Sequence, residues 1–280
     1  MSGARDTSRA HLTTEGTASG VEALEAGPLV DALRLFDRAD REALDAVEAA
    51  NDALATTVEW VVDAIRAGGR LLYFGAGTSG RLGVLDASEC PPTFGVDRGV
   101  VVGVIAGGER ALHTSVEDAE DDGARARADV DAQGVGPKDV VVGITAGGTT
   151  PYVHAAIARA KQLGARTVFL ACVGADEVSD AADHSVRLVT GPELVAGSTR
   201  LKAGTATKLA LNRLTTLAMA RLGHVKRGRM VDFATRANAK LWQRAVDTIV
   251  AECGVSPAQA SEALEAAEGN LGRALERLGW

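Results

Sequence analysis

Through the middle of the chain, short apolar runs alternate with longer stretches of helical spacing. Residues 70–74, 100–105, 140–145, 167–172 and 185–189 are mostly continuous in their apolarity rather than alternating. That pattern predicts parallel strands covered on both faces. Helical periodicity between them predicts helices over 79–88, 109–121 and 151–163, with a short one near Glu177. Strands and helices in this order predict an α/β fold, a three-layer α/β/α sandwich around a mainly parallel five-stranded sheet. Ligands are expected at the carboxyl ends of its strands. Gly75, Gly107-Gly108 and Gly147-Gly148 each sit at or just past a strand end and mark that edge.

On either side of this core the pattern changes. Over residues 40–67 the positions Leu44, Val47, Leu54, Val58, Val61 and Ile65 form one helical stripe, interrupted by Asn51. Such a stripe packs on its own domain or meets a second subunit, and the spacing does not choose. A long helix is expected after the segment 197–208, ending near Leu222. Beyond Gly254, Ser256-Pro257 has the form of a helix start, cap first and proline in the first turn, and two short helices follow over 258–267 and 271–278. The expected organisation is a flexible tail over residues 1–14, a ligand-binding catalytic domain with its N-terminal helices over 15–235, and a small helical subdomain over 236–280.

Composition narrows the class. The chain has 280 residues, 46% hydrophobic and 24% charged, as a folded globular protein does. A net charge of −7 leaves no basic excess for nucleic acid or an anionic membrane. No apolar run approaches the ~20 residues of a membrane span, and the start of the chain is polar, so a cytoplasmic protein is expected. Cys90, Cys172 and Cys253 are too few and too scattered for a disulfide framework or a metal knuckle.

The candidate chemistry sits in the turns. Gly75-Ala-Gly77-Thr78-Ser79-Gly80 ends an apolar run and opens a helix. Glycines let a ligand approach the backbone, and a first helical turn offers unpaired N–H groups to an anion. The spacing also matches a dinucleotide fingerprint. However, the fingerprint wants an acidic residue at the end of the second strand, whereas that strand ends Ile105-Ala-Gly-Gly and Pro91-Pro92 interrupts the stretch before it. Ala146-Gly147-Gly148-Thr149-Thr150-Pro151 repeats the design after the third strand. Two hydroxyl-bearing turns on one edge favour a sugar phosphate over NAD. Glu89, read as standing at a helix end before the double proline, is a carboxylate where the helix dipole disfavours one. Glu120 lies in an acidic run that composition alone assigns to a solvated helix face. Arg200, Lys202 and Lys208 follow a Gly-Ser-Thr turn and are either anion ligands or ordinary surface charge. His113, His184 and His224 have no metal-ligand spacing.

The block from Gly75 through Glu89-Cys-Pro-Pro-Thr-Phe-Gly95 closely resembles the signature of N-acetylmuramic acid 6-phosphate etherases, members of the sugar isomerase (SIS) superfamily. The likeness continues through 105–109, 119–121, 150–153, 197–208 and 230–232, and includes Thr14-Glu15-Gly16 and the C-terminal hairpin. It implies cleavage of a lactyl ether in cell-wall sugar recycling, with Glu89 as proton donor and Glu120 as base. It implies that Gly77, Thr78, Ser79, Arg81, Gly147, Gly148, Thr149, Thr150, Ser198, Thr199 and Lys202 hold the substrate and its phosphate. The chemistry needs two carboxyl groups in opposite protonation states, so no metal and no other cofactor is expected. The expected partners are the small sugar phosphate and a second copy of the chain in a homodimer. The family usually carries serine and arginine where this chain has Gly147 and Thr149, which implies weaker phosphate binding and a raised KM. A non-catalytic sugar-phosphate sensor and an aldose–ketose isomerase are the rival readings. Retention of both glutamates favours the etherase.

Overall fold

Five apolar runs pair side by side in a computed structural model that describes residues 11–233 and 235–280. They are β1 (Leu71–Gly75), β2 (Val101–Ile105), β3 (Val140–Thr145), β4 (Arg166–Ala171) and β5 (His184–Arg187), all parallel, in the order β2-β1-β3-β4-β5. Each lies within two residues of its expected bounds. Because β1, β3 and β4 carry apolar side chains on both faces, each face buries its own core. Tyr73, Val142, Ile144 and Leu170 pack on one side, and Leu72, Phe74, Val141 and Phe169 on the other.

The first core is closed by α1 (Leu29–Ala49), α2 (Asn51–Arg66), α3 (Gly77–Phe94) and α7 (Lys202–Arg221). The second is closed mainly by α5 (Gly123–Ala132) and α6 (Pro151–Gln162), while α4 (Arg110–His113) is a single turn beyond β2. The chain leaves β1 for β2 on one side and returns to β3 on the other. The strand order therefore reverses at β1, and a crevice opens between the turns after β1 and β3.

Several expectations are corrected. Residues 40–67 are not one helix: α1 ends at Ala49 and α2 starts at Asn51. The stripe packs largely inside the chain's own core, with Val47, Leu54, Val58 and Val61 buried and only Leu44 well exposed, at 44%. Pro91-Pro92 does not stop α3, which runs on to Phe94 and ends at Gly95 with φ 68°. Proline removes donors and fixes φ near helical values, so two prolines in a final turn lose few bonds. The expected helix over 109–121 is only α4; Asp118, at φ 61°, lies outside helical geometry, and the acidic run crosses the sheet edge as turns. Near Glu177 there is a turn, not a helix. Two helices were not anticipated: α5, capped by Asp122 accepting from Arg125 N–H at 2.8 Å, and α8 (Ala239–Cys253), capped by Asn238.

At the start of the chain, residues 1–10 of the expected tail lie outside the described residues. Residues 11–14 are not a tail, since Leu12 and Thr14 are 2% and 0% exposed beside the short 3₁₀ turn Thr13–Glu15. At the other end, α8, α9 (Pro257–Ala266) and α10 (Leu271–Arg277) share a separate core. It also takes in Val231 and Phe233, just after a two-stranded hairpin of β6 (Val225–Lys226) and β7 (Arg229–Met230). Ser256 and Gln259 close a reciprocal capping box on α9. No described helix is long and apolar enough to cross a membrane.

Candidate active site

The turn after β1 is built by close backbone approach. A Cβ on Gly80 would stand 2.6 Å from the carbonyl oxygen of Gly75, and one on Gly75 would stand 2.8 Å from the nitrogen of Gly80. Two glycines therefore let α3 begin directly against the strand end. No side chain caps this helix. The N–H groups of its first turn, at Gly77, Thr78 and Ser79, are left without intrahelical acceptors. The turn after β3 is held differently: Gly148 N–H donates to Thr145 Oγ1 at 3.2 Å, and the hydroxyls of Thr145 and Thr150 share a 2.8 Å bond. Pro151 opens α6, whose amino end also has no side-chain cap.

The two turns face each other across a cavity of about 160 Å³. Gly77, Thr78, Ser79, Gly147, Thr149, Thr150 and Thr199 line it, and so do Glu15, Glu120 and Leu12. None of its lining residues is cationic. Two uncapped helix ends and a ring of hydroxyls offer hydrogen-bond donors to the cavity, and the Glu15 and Glu120 side chains complete the wall. Ala76, Gly77 and Glu120 also border a second cavity of about 520 Å³ between Arg81 and the acidic turns over 115–121. Glu120 thus stands where the smaller cavity meets the larger one. The Asp118 kink places it there, and Tyr152 N–H holds its carbonyl at 2.9 Å.

The expected ligands divide. Gly77, Thr78, Ser79, Gly147, Thr149, Thr150 and Thr199 meet in the smaller cavity. Arg81 borders the larger one, but its Nε donates to the carbonyls of Ala111 and Leu112 at 3.0 and 3.3 Å, so it braces the segment after β2. Gly148 does not line the smaller cavity: a side chain there would press on Val173 and Val178. Ser198 is not among that cavity's lining residues either. Lys202 is 3% exposed, and its ammonium pairs with Glu42 of α1 at 2.5 Å rather than with the cavity. Above it, the fully buried Glu193 accepts the N–H groups of Lys202 and Ala203 at 2.9 and 3.0 Å, so the amino end of α7 already holds an anion. Arg200 and Lys208 are exposed.

Glu89 is exposed on α3 and borders neither cavity. It stands twelve residues beyond Gly77 on that helix, roughly 18 Å along the axis at ~1.5 Å per residue. One turn earlier, Asp86 points into the core, accepting from Tyr73 Oη at 2.9 Å and Thr215 Oγ1 at 3.0 Å. Burial pushes its carboxyl up to about 6. Burial likewise pushes the Cys90 and Cys172 thiols up to about 12, which leaves both unreactive. No cluster of metal-ligating side chains occurs among the described residues. Residue spacing alone did not find Glu15, Leu12, Thr145 or Glu193; only the Thr14-Glu15-Gly16 likeness hinted at the first.

A five-stranded parallel sheet with a hydroxyl-lined cavity at its switch point is the arrangement expected of the SIS class, and comparison shows that fold. The SIS domain family model matches residues 113–217, and that of the glucokinase regulatory protein N-terminal SIS domain matches 53–161. The fold is also that of a phosphoheptose isomerase from Francisella tularensis, at TM-score 0.52 and 18% identity over 69% of this chain and 100% of that one. Among curated proteins, the N-acetylmuramic acid 6-phosphate etherase of Nostoc punctiforme is 51% identical over 92% of this chain and 83% of its own length. That of Thermosynechococcus vestitus is 47% identical over 96% and 87%. The chain belongs to the N-acetylmuramic acid 6-phosphate etherase family.

Proposed function

We propose that this protein cleaves the ether between D-lactate and C3 of N-acetylmuramic acid 6-phosphate, releasing D-lactate and N-acetylglucosamine 6-phosphate. Half-identity to the etherases over nearly the whole chain carries this reading. In it the phosphate sits against the open ends of α3 and α6, and the sugar extends past Glu120 into the larger cavity. Glu120 takes the C2 proton of the open-chain aldehyde, which the neighbouring carbonyl acidifies. The C3–O bond breaks as the lactate oxygen receives a proton from Glu89. Water then adds across the C2–C3 double bond and restores the hydroxyl at C3. Both glutamates act as positioned acid–base groups.

The distance between Glu89 and the cavity of its own chain supports a homodimer in which Glu89 of one copy serves the cavity of the other. Exposed apolar side chains favour the same assembly: Leu85, one turn before Glu89, is 47% exposed, and Leu29 and Leu33 of α1 are 76% and 57% exposed. Incubation with N-acetylmuramic acid 6-phosphate and assay of D-lactate tests the activity. Mixing Glu89→Gln with Glu120→Gln chains tests the sharing. Two inactive variants regain turnover together only if each mixed dimer assembles one intact site. The match to a regulatory protein's domain favours a second reading as a sugar-phosphate sensor. A chain that binds the sugar phosphate and releases no lactate selects it.

A further inference from the structure

The segment Leu12–Glu15 lies across the smaller cavity as a strap. Thr13 ties it down, with its N–H and hydroxyl on the Glu177 carboxylate at 2.7 and 3.1 Å, and Gly197 N–H donates to the Thr14 carbonyl at 3.2 Å. Leu12 and Glu15 reach the cavity wall on either side of Thr14. Thr14 itself is 0% exposed, and its hydroxyl has no hydrogen-bond partner. Buried hydroxyls are nearly always paired, because an unpaired one keeps the full desolvation cost. This one lies behind Gly147: an atom at the Cβ position of that glycine would stand 3.7 Å from Thr14 Oγ1 and 3.4 Å from Leu12, ordinary contact distances. Thr14 does not itself line the cavity, but Gly147 does and carries no side chain of its own between the two.

We infer that the Thr14 hydroxyl is a binding donor for the phosphate of the sugar substrate, reached through the gap at Gly147. A ligand oxygen entering that gap needs only a small advance, or a turn of the Thr14 side chain, to close a hydrogen bond. The donor is then supplied by the N-terminal strap, and binding a phosphorylated ligand fastens the strap over the site. This inference rests on the smaller cavity being a sugar-phosphate site.

The test uses the full chain and calorimetric titration with N-acetylglucosamine 6-phosphate, unphosphorylated N-acetylglucosamine and inorganic phosphate. Thr14→Val keeps the shape and removes the hydroxyl. The free variant is expected to melt at or above the wild-type temperature, since an unpaired buried hydroxyl has gone. Its affinity for the sugar phosphate and for inorganic phosphate should fall roughly ten- to a hundredfold, as for a lost hydrogen bond to a charged group, while unphosphorylated sugar is unaffected. Thr14→Ser should bind as wild type. Gly147→Ser should restore phosphate affinity in the Thr14→Val background by placing a hydroxyl in the gap. Wild-type affinity for phosphate ligands in Thr14→Val overturns the inference. If the valine variant fails to fold, wild-type affinity in Thr14→Ala overturns it equally. A wild-type chain that binds none of the three probes overturns it as well. A chain that binds the sugar phosphate but releases no lactate overturns only the etherase reading.

Discussion

The amino ends of α3 and α7 share a local signal and have opposite fates. Both follow glycine-and-hydroxyl turns, Gly75-Ala-Gly-Thr-Ser-Gly and Gly197-Ser-Thr-Arg, and both offer first-turn N–H groups. At α3 those groups face an open cavity with no side-chain cap. At α7 the buried Glu193 already occupies the corresponding position, and the lysine that reads as a phosphate ligand neutralises Glu42 instead. A helix end is thus a binding site only where the fold withholds its own anion. One end stays open to the cavity, and the other holds the chain together.

The comparison sharpens first at its catalytic margin. Glu120→Gln should lower lactate release by roughly 10²–10⁴-fold with the circular dichroism spectrum unchanged, as should Glu89→Gln on the far part of α3. Near wild-type turnover in either variant removes that residue's role. At the plugged end, Glu193→Ala should lower unfolding free energy in urea by about 2–4 kcal/mol. Two buried backbone donors there, those of Lys202 and Ala203, lose their carboxylate acceptor. A loss below measurement error would mean that the end is satisfied otherwise.

Between the two helices lies Asp86 of α3, bonded to Thr215 of α7. Its folded-state value is raised, to about 6, so the native state binds its proton more tightly than the unfolded chain does. Its stabilising contribution is complete below the unfolded value near 4 and is lost as pH rises through about 6, on the order of 2–3 kcal/mol. The stability–pH curve of Asp86→Asn should lack that fall. Parallel curves would show that Asp86 does not titrate in this window. At the open end the expected effects are smaller. Thr78→Ala should raise KM about tenfold with kcat and Tm nearly unchanged, as when a uniform binding contact is removed. The reverse change at the second turn, Gly147→Ser with Thr149→Arg, should lower KM by a similar factor while kcat holds.

The parallel sheet, its two glycine turns and the hydroxyls between them were legible because each depends on local chemistry. Continuous apolar runs such as 140–145 suit only a strand buried on both faces, and glycines at 75 and 80 answer to backbone approach within six residues. The acidic run around Glu120 read as a solvated helix because its composition is that of one. Only the left-handed Asp118 and the tie from Tyr152 carry it to the sheet edge. The stripe of 40–67 announced an apolar face but not its partner, since either a core or a second subunit satisfies it.

By itself, then, the sequence determined the layers, the strand ends and the glycine turn that opens α3 at Gly77–Ser79, because periodicity and glycine geometry act over a few residues. Tertiary structure alone decided which helix end stays open, where Lys202 and Arg81 direct their donors, and that Thr13–Glu15 lies over the cavity. Those outcomes hang on pairs such as Lys202 with Glu42 and Thr13 with Glu177. The partners stand far apart in the chain, and only folding decides which donor meets which acceptor.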